Sequence, residues 1–201
     1  MSGRELHVIS SGQSELERYT RIATLTHPYV TAFHLRERSC SAAELWEGVL
    51  AMKAGGVPLS KVFINDRVDV AWAACAGGVQ LSYHSLEVQI VRRSFPGLRI
   101  GRSVHDVQEA EEMSKQGADY LLYGHIFSTD SKLGQSPRGT SGLEEVVQRV
   151  PIPVIAIGGI KPNHVQQIVA TGVAGIAILS GITQSDNPLK SVKDYREALN
   201  S

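Results

Sequence analysis

Along the chain, short runs of β-branched and other apolar residues alternate with longer stretches in which apolar positions recur three and four residues apart. The short runs predict strands at Leu6 to Ser10, Ala32 to Arg36, Val62 to Asn65, Gly78 to Leu81, Arg99 to Ser103, Tyr120 to Gly124, Val154 to Ile157 and Gly175 to Leu179. The intervening stretches predict helices, among them Ala42 to Ala54, Val107 to Gln116, Leu143 to Arg149 and Asn163 to Ala170, the last two opened by Ser141 and by Pro162-Asn163. Glycine follows several of them, as in Ala54-Gly55-Gly56, Gln116-Gly117 and Thr171-Gly172, where a left-handed residue can close the helix before the next strand. Helical crossovers imply parallel strand pairing. Eight such units favour a closed barrel over an open doubly wound sheet, so the fold class expected is α/β, a single-domain (β/α)8 TIM barrel over residues 1–201.

Composition fits that reading and removes some functions. The 201 residues are near the lower limit for an eightfold barrel, leaving little room for a second domain. Lys and Arg (20) balance Asp and Glu (20), so charge gives no reason to expect nucleic acid or an anionic membrane as partner. Cys40 and Cys75 lack metal-ligand or C-x-x-C spacing, no basic-then-apolar leader opens the chain, and no apolar run is long enough to cross a bilayer. A cytoplasmic protein is expected.

In a barrel the C-terminal strand ends carry the chemistry. Those ends read His34-Leu35-Arg36, Asn65-Asp66-Arg67, Gln80-Leu81-Ser82, Arg102-Ser103, Gly124-His125, Gly158-Gly159 and Ser180-Gly181. The last two let backbone N–H groups approach an anion closely and predict a phosphate site, although tight turns alone would also use glycine there. The polar connection from Ser128 to Gly142, about fifteen residues, is longer than an ordinary βα loop and suggests a lid or binding loop. Within it Lys132 is suited to meet an anion, while most of the loop and Arg138 read equally well as solvated surface.

His125 follows the sixth strand on the functional face and is the candidate proton carrier, since imidazole titrates near neutrality; a structural histidine is the alternative. His34, on the same strand face as Arg36, is a weaker candidate, and His105 weaker still. His7, His27, His84 and His164 show no metal-ligand spacing, and Asp66 has no obvious second carboxylate at a neighbouring strand end, so neither a metal nor another cofactor is expected. No Ser-His-Asp arrangement, Walker loop or dinucleotide fingerprint appears.

Taken together, His34 to Arg38, Ile64 to Arg67, Gly101 to His105, Ala118 to Tyr120, Gly124 to Lys132, Ile157 to Ile160 and Leu179 to Ile182 resemble the thiamin phosphate synthase superfamily over nearly the whole chain. That resemblance implies thiazole phosphate as ligand. Members that make thiamin phosphate join it to a pyrimidine pyrophosphate, using magnesium held by two aspartates. The first matches Asp66, but at the second this chain has Ser85, within Gln80-Leu81-Ser82-Tyr83-His84-Ser85, and a serine is no substitute for a carboxylate. Gly124-His125 in place of Gly-Pro is similar to the thiazole tautomerase branch, the TenI type.

The function expected is therefore metal-independent isomerisation of a carboxylated thiazole phosphate, with His125 carrying the proton. The resemblance implies that Gly159, Ser180 and Gly181 hold phosphate, that Arg36 and Lys132 pair with the carboxylate, and that Ser103 and Thr129 orient the ring; His34 and Asn65 are further possible contacts. Thiamin phosphate synthase is the alternative function, and a non-catalytic regulator that binds the phosphate ligand is the third. A homodimer is implied by the same resemblance, with Trp46 and Trp72 as candidates for a helix-side interface.

Overall fold

The computed structural model describes residues 3–12, 15–129 and 134–201. Eight parallel strands close into a barrel: β1 (Glu5–Ile9), β2 (Ala32–Leu35), β3 (Val62–Asn65), β4 (Gly78–Leu81), β5 (Arg99–Val104), β6 (Tyr120–Gly124), β7 (Val154–Ile157) and β8 (Gly175–Ile178). Each pairs with the next and β8 returns to β1, so that His7 lies opposite both Ala32 and Ala177. The closed barrel, not the open sheet, is the fold. Strand bounds differ from expectation by one residue at β1, β2, β5 and β8, where fraying and the turn to the next loop decide the end.

Helices cover the outside of the barrel: α1 (Leu16–Thr26), α2 (Ala42–Ala54), α3 (Val68–Ala73), α4 (Val88–Ser94), α5 (Val107–Lys115), α6 (Gly139–Arg149), α7 (Val165–Val169), α8 (Ser180–Thr183) and α9 (Pro188–Asn200). Their starts follow from sequence chemistry. Ser41 and Glu44 form a reciprocal capping box on α2, Asp106 accepts from the Glu109 N–H on α5, and Asn187 accepts from the Lys190 N–H beside Pro188 on α9. Two expectations need correction. Helix α6 begins at Gly139 and not at Ser141, because the preceding Arg138 docks its N–H on the His125 carbonyl. The segment from Pro162 is a 3-10 turn before a short α7. Gly56, Gly117 and Gly172 are left-handed as expected, whereas Gly55 is not.

One apolar core fills the space between helices and barrel, and a smaller one, with Ile9, Phe63, Tyr120, Leu122 and Ile155, lies inside the barrel. The interior is asymmetric. On β6 to β8 it is lined by Leu122, Ile155 and Ala177, but on β1 to β4 it carries His7, His34, Asn65 and Gln80. At the N-terminal face, cations are bound to backbone carbonyls: Lys61 to His27 and Val30, Arg92 to Gly117 and Leu98, and Arg196 to Tyr29 and Arg4. Such contacts tie chain segments together and mark this face as structural.

His7 and His34 are both 0% exposed. Burial lowers the pKa of His7, and it lowers that of His34 further still, with like-charge repulsion from His7 adding to the effect. A base held below its unfolded value binds fewer protons when folded, so stability is full above the unfolded value and declines as pH falls through it, near about 6.5. Each such histidine contributes a slope of up to about 1.4 kcal/mol per pH unit. Chemical denaturation between pH 7.5 and 5.5 should therefore show stability falling with acid, and His34→Gln should remove roughly half of that slope. A flat wild-type profile would contradict the neutral burial of these rings.

Candidate active site

A cavity of about 400 Å³ opens at the C-terminal ends of the strands. Among the residues expected to form a site, Arg36, Asn65, Ser103, His125, Thr129, Gly159, Ser180 and Gly181 all line it. His105 lines it as well. Lys132 lies outside the described residues. His34 does not reach the cavity: alternation along β2 turns it inward as expected, but it sits one layer lower, fully buried and bonded to His7.

The β7 and β8 ends form a small-residue cradle. Gly159 has φ +65°, and a Cβ there would lie 2.4 Å from the Ser128 carbonyl oxygen and 2.8 Å from that of Phe127, so only glycine fits. Ser180 and Gly181 open the four-residue α8, where the first N–H groups have no intrahelical acceptor and remain available to an anion. Tyr195 of α9 donates to the Ile160 carbonyl at 2.9 Å and supports this rim from below.

On the β2 rim, Arg36 and Arg38 face the same cavity. Among the described residues neither makes an ion pair, in contrast to the bound cations of the opposite face. Burial lowers the pKa of Arg36, and the like charge of Arg38 lowers it further. Asp66 and Glu37 act on Arg36 only from a distance and in the opposite sense, and two neighbouring guanidinium groups without a direct ion pair among the described residues favour an anionic ligand.

Asp66 occupies the left-handed turn between β3 and α3, with φ 62°. Its N–H donates to the Gln80 carbonyl at 2.9 Å, holding the turn against β4. Its Oδ1 accepts from the Ser82 N–H at 3.2 Å, from the Ser82 hydroxyl at 2.8 Å and from the Ser85 hydroxyl. A two-carboxylate magnesium centre does not fit these residues. The position of the second carboxylate is taken by a hydroxyl that points its proton at the first, and among the described residues no group of three or more His, Cys, Asp or Glu side chains is arranged to hold a metal ion.

His125 is 6% exposed, and its Nε2–H donates to the Gln135 carbonyl at 3.3 Å. Arg138 is exposed, as the solvated-surface reading expects, and its Nε also donates to the Gly124 carbonyl at 3.1 Å, which fastens this residue over the end of β6.

A sequence model of thiamine monophosphate synthase matches residues 6–182. The chain belongs to the thiamine monophosphate synthase family. It is 36% identical to the thiamine-phosphate synthase of Pyrococcus furiosus over 83% of this chain and 81% of that protein. It is 42% identical to that of Caldivirga maquilingensis over 68% and 67% of the two chains. The solved thiamine phosphate pyrophosphorylase from Pyrococcus furiosus superposes with a TM-score of 0.83 at 32% identity, covering 98% of this chain and 95% of that one.

Membership in the thiamine monophosphate synthase family is thus established, and the expected tautomerase branch is corrected. Relatives at 32–42% identity bear the name thiamine-phosphate synthase. Gly124-His125 is a local departure on a background of similarity that runs the length of the barrel, and it is too narrow a signal to outweigh that background. The role of His125 as proton carrier of an isomerase falls with it. Arg38 and Ser82 stand in stretches that the sequence singles out but were given no role of their own. The two-residue period through His34, Arg36 and Arg38 carried a signal for the first, and the Ser82-x-x-Ser85 spacing beside Asp66 for the second.

The Asp66 environment predicts weak divalent binding that one substitution repairs. Titration with Mn²⁺ followed by electron paramagnetic resonance should show Ser85→Asp binding the ion at least about tenfold more tightly than wild type. Equal affinity in the two proteins would mean that the hydroxyl cage does not stand in the way of a cation.

Proposed function

We propose that the chain is a transferase of the thiamine-phosphate synthase type, joining a thiazole phosphate to a pyrimidine pyrophosphate and releasing diphosphate. The observation that carries this reading is a single cavity with two anion-accepting ends. The glycine and serine cradle after β7 and β8 is one; Arg36 and Arg38 just beyond β2, which make no ion pair among the described residues, are the other, separated from the first on the rim by the end of β1. Two phosphorylated substrates need two such ends; the phosphate and carboxylate of a single thiazole would use two as well, and the similarity to thiamine-phosphate synthases along the whole barrel is what favours the pair of substrates.

In the reaction the thiazole nitrogen forms a bond to the methylene carbon of the pyrimidine while the bond from that carbon to the diphosphate oxygen breaks, and the electron pair leaves with diphosphate. Gly159, Ser180 and Gly181 anchor the thiazole phosphate through backbone and hydroxyl donors. Arg36 and Arg38 meet the diphosphate, and their charge is what stabilises it as it departs. Ser103, Asn65 and Thr129 line the space between and offer hydrogen bonds to the rings. His125 closes the wall beneath them. Holding both substrates in one pocket supplies the proximity on which a bimolecular substitution depends.

Incubation with the pyrimidine pyrophosphate and the thiazole phosphate, with and without added magnesium, should yield thiamine phosphate and diphosphate in equal amounts. Arg36→Met should raise KM for the pyrimidine substrate about tenfold and leave that for thiazole phosphate nearly unchanged, and Ser180→Ala should do the reverse by a smaller factor. Absence of product under both conditions would discard the reading.

A further inference from the structure

A line of buried polar groups runs inside the barrel from its N-terminal rim to the floor of the cavity, and the proposed chemistry uses none of its lower members. Glu5 Oε2 lies 2.8 Å from His7 Nε2, and His7 Nδ1 lies 3.0 Å from His34 Nε2. The Asn65 side chain lies within hydrogen-bonding reach of the His34 ring and raises its pKa against the effect of burial, but in this amide orientation the two groups do not meet in good hydrogen-bond geometry. His34 Nδ1 and Asn65 Oδ1 are both buried without a partner. Asn65 lines the cavity above.

The direction of this chain follows from its lower end. Arg99 Nη2 stands 3.2 Å from Glu5 Oε1. Burial alone would raise the Glu5 carboxyl, but the His7 hydrogen bond and the Arg99 guanidinium outweigh it and hold the carboxyl below its usual range. A carboxylate only accepts, so His7 carries its hydrogen on Nε2. His7 is neutral, so its Nδ1 is an acceptor and His34 must donate from its own Nε2. That leaves the lone pair of His34 Nδ1 facing Asn65. A lone pair and a carbonyl oxygen repel, whereas a half-turn of the amide pairs Nδ2–H with Nδ1 and leaves Oδ1 free for the cavity.

We infer that Glu5, His7 and His34 form a one-way hydrogen-bond relay that positions Asn65, turning its NH2 group inward and presenting its carbonyl oxygen to hydrogen-bond donors of the ligand. Running the chain the other way requires a proton on Glu5 and hydrogens on both Nδ1 atoms, and the Arg99 guanidinium opposes that proton. A parallel arrangement supports the neighbouring side chain of the floor. Gln80 Nε2 donates to Ser103 Oγ at 3.1 Å, which turns Gln80 Oε1 back into the barrel. Tyr120 Oη reaches the same place over Gly101, where a Cβ would lie 2.3 Å from both atoms. Asn65 and Ser103 are thus both oriented from below, by groups that touch no ligand.

The relay itself stands apart from the reaction; only its effect on thiamine phosphate rests on the synthase reading. The test is nitrogen NMR of the full chain labelled with ¹⁵N-histidine at pH 7.5, together with calorimetric titration of thiamine phosphate. His7 and His34 should both be neutral with hydrogen on Nε2. Glu5→Gln removes the obligatory acceptor, so the Nδ1–H form of His34 should appear and thiamine phosphate should bind three- to tenfold more weakly, while Glu5→Asp should restore both. Arg99→Met, which removes the charge that opposes a proton on Glu5, should shift His34 in the same direction but less fully, and serves if Glu5→Gln does not fold. A wild-type His34 that is charged or carries its hydrogen on Nδ1 overturns the inference, as does a switch of tautomer that leaves affinity unchanged. Failure of the wild type to bind thiamine phosphate counts against the synthase reading, and the tautomers then still decide the relay.

Discussion

Between β1 and β8 the backbones approach so closely that a Cβ on Gly175 would lie 2.2 Å from the Glu5 carbonyl oxygen. That seam joins the last strand to the first and leaves the sheet without an edge. Everything else depends on it. A closed parallel sheet sends every second side chain into a common interior and brings all eight strand ends to one rim. Residues as distant in sequence as Arg36 and Gly181 then share a cavity, and Glu5 and Arg99 meet inside the barrel.

The two ends of the barrel use their charges differently. At the N-terminal end, Lys61, Arg92 and Arg196 bind carbonyls of neighbouring segments, so each cation stabilises the fold and is unavailable to a ligand. At the C-terminal end, Arg36 and Arg38 make no ion pair among the described residues, and Asp66 is enclosed by hydroxyl donors. The chain has an anion-accepting rim but not a donor set suited to a divalent ion, so in the proposed reaction the charge of a departing diphosphate falls to side chains.

Local pattern carried much of this. Alternating β-branched runs and helical spacing marked all eight strands, because a strand buried on both faces has few ways to be written. The strand-end rule brought Arg36, Ser103, His125, Gly159 and Ser180 to one place for the same reason. Depth along the barrel axis was not legible: a period of two tells which face His34 takes but not which layer it occupies, and its partner His7 lies 27 residues away. Helix α6 was misplaced because it is started by Arg138 docking on the end of β6, a tertiary contact with no cap residue to announce it. The choice of branch failed differently, since two local departures were weighed above similarity spread over the whole barrel.

Gly158 lies against His125 so tightly that a Cβ on the glycine would be 2.3 Å from the histidine Cβ. The Ile126 and Phe127 N–H groups extend this contact by donating to the carbonyls of Ile157 and Gly158, both at 3.0 Å. The anion cradle after β7 and the segment that leaves β6 therefore move as one body. A shift of Gly158 and Gly159 is passed to residues 125–128, and the linkage is reciprocal: what holds that segment in place also holds the cradle. Two glycines and the strand beside them thus set the shape of the cradle and of the wall at His125 together.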